Sequence, residues 1–219
     1  MNIKCIVFCC LFFCSTLVAQ QIDKKHFSYK YYHMVDIFNH MANSENEIVF
    51  LGDSITEQGP WYELFRGLDY PVVNRGISGD TTDGVLFRLG EVVESKPKVI
   101  FLLIGTNDIY YKRSVDYIVS RIEQIVSVIK ANSPTSQIVL QSILPTYKRT
   151  ERPLDTIKKI NKQLRVLAKK EHIAYLDLFP FFLNNEGKQL NEDYSLDGLH
   201  LNAKGYALWV DLIKKESLL

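Results

Sequence analysis

Beyond residue 14 the chain has no cysteine: Cys5, Cys9, Cys10 and Cys14 are all that its 219 residues contain, clustered at one end. Everything after them lacks disulfides, thiol nucleophiles and thiolate-held metals. A domain of about 200 residues buries enough core to fold without such staples. Neither sign of charge dominates, with 26 Lys and Arg against 25 Asp and Glu. A chain so balanced lacks the basic excess that nucleic-acid binding requires. Also missing are His-Glu-x-x-His, Gly-x-x-x-x-Gly-Lys and Gly-x-Gly-x-x-Gly, so metal, nucleotide and dinucleotide chemistry have no motif to stand on, and no cofactor is implied. His26, His33 and His40 recur seven apart, which separates them by two helical turns and suits a polar helix face better than a shared metal. His172, just ahead of a predicted strand, reads as structural.

Of what is present, residues 1–19 stand apart. Lys4, an apolar run over 5–13, the small or polar Ser15 and Thr16, and Leu17-Val18-Ala19 before Gln20 read as a secretory signal peptide cleaved after Ala19. The run is short for a membrane span, and bulky Phe12 and Phe13 ahead of Cys14 disfavour lipid attachment. The expectation is therefore an exported protein, periplasmic or secreted, with no stable membrane insertion after cleavage. Residues 20–46 form an N-terminal extension. In it Phe27, Tyr31, Met34, Val35, Phe38 and Met41 recur at three- and four-residue steps, predicting an amphipathic helix over 26–42 on the outside of a sheet. The main domain is 47–219.

Within that domain, short apolar runs at 48–51, 70–74, 98–104, 137–143 and 173–178 read as strands buried on both faces. They alternate with predicted helices: a short one at 61–65, one capped by Asp80 or Thr81 and running to about 94, one from Ser114 to about 132, one at 154–170, and a last one from about Asn202. Phe181-Phe182-Leu183 suggests a short helical turn. Such alternation implies an α/β fold with right-handed crossovers, three layers α/β/α around a five-stranded parallel sheet. Fold priors favour the flavodoxin-like order 2-1-3-4-5, which gathers the ends of the first three strands around a switch point where ligands bind.

Gly52-Asp53-Ser54 follows the first strand directly, so Ser54 lies where chemistry happens in such sheets. Taken alone, the tripeptide is equally a helix cap. Far along the chain, Asp197-Gly198-Leu199-His200 spaces a carboxylate and an imidazole by three residues, close enough for a turn to orient the ring. An oriented imidazole is what a serine hydroxyl needs from a base. Asp-x-x-His alone is also a common capping pattern. Gly76-Ile77-Ser78-Gly79 does not fit the Gly-x-Ser-x-Gly elbow, its closing glycine being one place early, which disfavours Ser78 as nucleophile.

Together with Gly79 after strand two and Gly105-Thr106-Asn107-Asp108 after strand three, these blocks resemble the GDSL, or SGNH, hydrolase superfamily, from about residue 47 to 207. The stretch around 78–88, Lys96-Pro97-Lys98 and Gly105-Thr106-Asn107 is particularly similar to its platelet-activating-factor acetylhydrolase-like branch and to carbohydrate O-acetylesterases. The resemblance implies Ser54 as nucleophile, His200 as general base, Asp197 as its orienting acid, and the Ser54 N–H, Gly79 and Asn107 as oxyanion-hole donors. It implies an esterase acting on a small-molecule or glycan ester, with acetyl esters of sialate or polysaccharides in view. The alternatives are a lysophospholipase or thioesterase, whose longer chain Phe181, Phe182 and Leu183 would line, and a non-catalytic glycan-binding module. A histidine base implies activity lost below about pH 6, since an ordinary imidazole titrates near 6.5. Asp53 and Asp108 neighbour the site. Lys148, Arg149 and Arg152 follow strand four and are read as a solvated loop, with contact to an acidic substrate as the alternative. The sequence leaves the oligomeric state open.

Overall fold

The computed structural model describes residues 21–41 and 44–219; the predicted signal peptide lies outside them. In chain order the elements are α1 (Tyr29–His40), β1 (Ile48–Gly52), α2 (Ser54–Glu57), α3 (Trp61–Leu64), β2 (Val72–Gly76), α4 (Thr82–Phe87), α5 (Leu89–Glu94), β3 (Val99–Leu103), α6 (Thr106–Tyr110), α7 (Val115–Asn132), β4 (Gln137–Gln141), α8 (Leu154–Lys170), β5 (Ala174–Leu176) and α9 (Ala203–Lys215). Short 3-10 turns occupy Phe179–Phe182 and Glu192–Tyr194. Among the described residues the strands form one five-stranded sheet, every neighbouring pair parallel, in the order β2-β1-β3-β4-β5.

Alternation along the strands divides the core into two. Val49, Leu51, Ile100, Leu102, Ile138 and Leu140 meet α4, α5, α7 and α8 on one face. Ile48, Phe50, Val99, Phe101, Leu103 and Val139 meet Ile55, Trp61, Phe65 and α9 on the other. The strands read as unbroken apolar runs because both faces are covered. On the second face Trp61 stacks on Phe50 at 3.9 Å and meets Trp209 edge-on at 4.8 Å. The polar tips are satisfied too: Trp209 Nε1 donates to Gln141 Oε1 at 2.7 Å, and the Tyr206 hydroxyl donates to the Ile55 carbonyl at 2.7 Å. These two bonds seat α9 on the sheet and against α2.

Several boundaries differ from the sequence reading. β2 starts two residues later than expected, because Pro71 has no N–H to pair and instead accepts the Ile48 N–H through its carbonyl. The helix expected to run to about 94 breaks at Arg88, which turns inward to bond Asp80 and the carbonyls of Gly52 and Arg75. α2 and α6, single turns right after β1 and β3, differ from the sequence reading, which has a helix after β1 only as the capping alternative for Gly52-Asp53-Ser54 and none after β3. α1 packs on Ile77 and α4 beyond the end of β2, not on a sheet face. Tyr31, Phe38 and Ile77 form a small core of their own, and the Tyr31 hydroxyl donates to the Gly84 carbonyl at 2.7 Å.

Candidate active site

The carboxyl ends of β1, β2 and β3 supply the loops of the site. After β1, Asp53 caps α2 with Oδ1 accepting the Ile55 N–H at 3.0 Å, which fixes Ser54 as the first helical residue. Helix geometry leaves the Ser54 N–H without an intrahelical partner. Asp53 itself is fully buried and its Oδ2 has no partner. Burial pushes its carboxyl up to about 7; the Ile55 N–H pulls against this, and the charges of Asp80 and Asp108 add to it.

His200 reaches Ser54 from 146 residues away, its Nε2 lying 2.9 Å from Ser54 Oγ. The turn that delivers it is heavily bonded. Asp197 Oδ1 accepts the N–H groups of Leu199 (2.9 Å) and His200 (2.8 Å), while Oδ2 lies 2.7 Å from His200 Nδ1. Gly198 takes φ +81° between them, and its carbonyl accepts the Tyr147 N–H at 2.8 Å. Ser195 Oγ donates to the His200 carbonyl at 2.7 Å. With a carboxylate on Nδ1, that nitrogen carries the hydrogen, so Nε2 is free to accept from the serine hydroxyl. Partial burial works against the charge on Asp197, but the bonds from the His200 ring and the two backbone N–H groups outweigh it and hold this carboxyl well below the usual carboxylate range.

The loops after β2 and β3 meet beside the serine strand. Gly79 sits at φ +80° with open space where a side chain would be. Gly105 turns the chain at φ +125° into α6, bringing Asn107 round so that its Nδ2 donates to the Asp80 carbonyl at 2.8 Å. Asp80 is in turn paired with Arg88 at 2.9 Å, both buried. Asp108, whose charge acts on Asp53, also ties α6 to α4 by accepting from the Thr82 N–H and hydroxyl, and pairs with Arg113.

Two arginines correct the sequence reading of a solvated loop. Arg149 Nη2 donates to the Asp197 carbonyl at 2.8 Å and lies 3.4 Å from its Oδ2. Arg152 is buried against Thr106 and Asn107. Nothing in a Lys-Arg-rich loop distinguishes an inward-facing arginine from a solvated one; the missing signal is the backbone path. Lys148 alone matches the expectation, exposed at φ +52° with its ammonium over the Tyr147 ring. His26 stacks on Tyr111, and His40 bonds the Asp36 carbonyl.

The geometry thus holds an acid, an imidazole and a serine in a bonded row, flanked by two strand-end loops. The model of the GDSL-like Lipase/Acylhydrolase family matches residues 50–208. The chain belongs to this family. Platelet-activating factor acetylhydrolase IB subunit alpha2 of Rattus norvegicus is 34% identical over 170 residues, covering 75% of this chain and 73% of that one. A structure from Streptococcus pneumoniae named for platelet activating factor superposes with a TM-score of 0.76 at 32% identity, over 85% of this chain and 92% of the other. A GDSL-like lipase from Bacteroides thetaiotaomicron gives 0.73 at 27% identity, over 86% and 98%. As a member of the GDSL-like family the protein is a carboxylic ester hydrolase, and its five-stranded order is that of the fold.

Proposed function

We propose that the protein is an exported serine esterase that removes short acyl groups, foremost acetyl, from O-acylated carbohydrates through an acyl-serine intermediate. The observation that carries the mechanism is the row Asp197 Oδ2–His200 Nδ1 (2.7 Å) and His200 Nε2–Ser54 Oγ (2.9 Å). His200 takes the Ser54 proton as Oγ bonds to the ester carbonyl carbon. The N–H groups of Ser54 and Gly79 and the Asn107 amide receive the oxyanion. The intermediate then expels the alcohol, which leaves with the proton from His200. Water, deprotonated by the same ring, attacks the acyl-serine; the acyl–Oγ bond then breaks, Ser54 Oγ takes the proton back from His200, and the acid is released.

Acetyl is supported by the name of the relatives at 34% identity, which are acetylhydrolases. The carbohydrate part rests on the predicted export signal, since an exported esterase meets acetylated glycans. A long-chain reading finds less support. Phe182 is fully buried against Tyr194 and lines no groove, while Phe181 is exposed beneath the Lys215 ammonium.

Acetate release tests the substrate choice. Acetylated xylan oligosaccharides and O-acetyl sialate are compared with the 2-acetyl ether phospholipid of platelet-activating factor at equal ester concentration. Faster release from the glycans supports the proposal. Faster release from the phospholipid overturns the carbohydrate part and leaves the acetyl part standing.

A further inference from the structure

Asn107 is held at both ends of its amide. Nδ2 donates to the Asp80 carbonyl at 2.8 Å, and Oδ1 accepts from Arg152 Nη2 at 3.4 Å, the longer of the two bonds. The same guanidinium donates from Nε to the carbonyl of Thr106 at 3.2 Å and from Nη1 to Glu151 at 2.6 Å. Its central carbon lies 4.9 Å from the Tyr110 ring, one turn further along α6. Arg152 is only 7% exposed, although it comes from a loop in which a charged side chain can reach water. Burying a guanidinium carries a desolvation cost that Glu151 offsets at Nη1 alone, so the turning of Nε and Nη2 toward Thr106 and the neutral Asn107 amide calls for a reason.

We infer that Arg152 is a positioning residue for the esterase, fixing the orientation of the Asn107 amide. A flipped amide would set Nδ2 against the guanidinium, donor facing donor, and Oδ1 against the Asp80 carbonyl, acceptor facing acceptor. With the flip penalised at both contacts, one Nδ2 hydrogen is committed to Asp80 and the second is the one that remains for an oxyanion. Arg152 also anchors the Thr106 carbonyl, so the backbone beneath Asn107 is fixed along with its side chain. The inference rests on the reading of Asn107 as an oxyanion donor, and its test must separate the two.

A four-protein cycle does so: wild type, Asn107→Ala, Arg152→Met and the double variant, each assayed on p-nitrophenyl acetate and each checked for an unchanged melting profile. Asn107→Ala is expected to lower kcat by about a hundredfold or more, as removal of an oxyanion donor does. Arg152→Met is expected to lower kcat by about tenfold with KM within about twofold, because misplacing a catalytic group costs rate more than binding. The double variant is expected to be no slower than Asn107→Ala alone. Losses that multiply in the double variant, or an Arg152→Met enzyme with full kcat, overturn the inference while Asn107 keeps its role. Full kcat in Asn107→Ala overturns the oxyanion reading itself. If Arg152→Met does not fold, Arg152→Lys carries the same cycle: it keeps the charge but lacks the planar fork that spans the Thr106 carbonyl and the Asn107 amide.

Discussion

His200 has a bond on each ring nitrogen, and the carboxylate that holds one of them also grips its backbone N–H. The ring is therefore set before any substrate arrives. Arg149 extends this by one step, holding the Asp197 carbonyl and facing its carboxylate across 3.4 Å. Because the two side chains are 34% and 43% exposed, the contribution of the pair is screened and modest. Arg149→Met should lower kcat/KM by about fivefold or less, and equally for neutral and anionic esters. A loss confined to anionic esters would show instead that Arg149 binds the substrate's charge.

At the scale of elements, the site is a meeting of short turns rather than of long helices. The Asp197–His200 turn depends on Gly198, which takes φ +81° and where an added Cβ would lie 2.1 Å from the Tyr147 carbonyl oxygen. Relief requires backbone movement in either the turn or the loop carrying Arg149. Gly198→Ala should lower the melting temperature by about 5–10 °C and reduce esterase activity along with it, for a strain of roughly 2–3 kcal/mol. An alanine enzyme with wild-type kcat and stability would mean that the turn tolerates a shift. The long elements were legible in the sequence because apolar periodicity marks them: α8 falls at the residues expected, and Ser114 and Asn202 cap α7 and α9 by bonding Tyr117 and Gly205. Of the single turns that carry Ser54 and Asn107, α2 is legible only as a capping alternative and α6 not at all. Their positions are set by Asp53 as a cap and by Gly105 as a turn, neither of which writes a repeating pattern. The bonds of Arg88, Arg149 and Arg152 were illegible for a related reason. Burial of a charged side chain depends on partners distant in sequence, as Arg152 and Asn107 are, 45 residues apart.

For the molecule as a whole, the placement of charge beneath the site has a consequence for stability. Asp53 ordinarily ionises near 3.8, as it does in the unfolded chain, but in the fold burial holds its proton up to about 7. Between those values the native state binds more protons than the unfolded one, so this group lowers stability as pH rises through that window and is constant above it. Asp197 has the opposite sign, its contribution being present above its unfolded value and lost only as pH falls below that. The two windows do not overlap. The melting temperature should therefore be higher at pH 5.5 than at pH 8, and Asp53→Asn should shrink the difference. An identical slope in wild type and variant would place the pH dependence in other groups. The N-terminal segment belongs to this scale as well. Asp23 pairs with Arg113, and Arg113 with Asp83 and Asp108, so residues ahead of α1 are bonded into the same buried charge system that underlies α4 and α6.

The most direct measurement is hydrolysis of p-nitrophenyl esters from acetate to octanoate by wild type and Ser54→Ala side by side. Turnover greatest on acetate, declining with chain length and reduced by about a millionfold or to background in Ser54→Ala, is the predicted result. Ester turnover that survives in Ser54→Ala would contradict the serine mechanism, and a maximum at octanoate would contradict the short-acyl assignment.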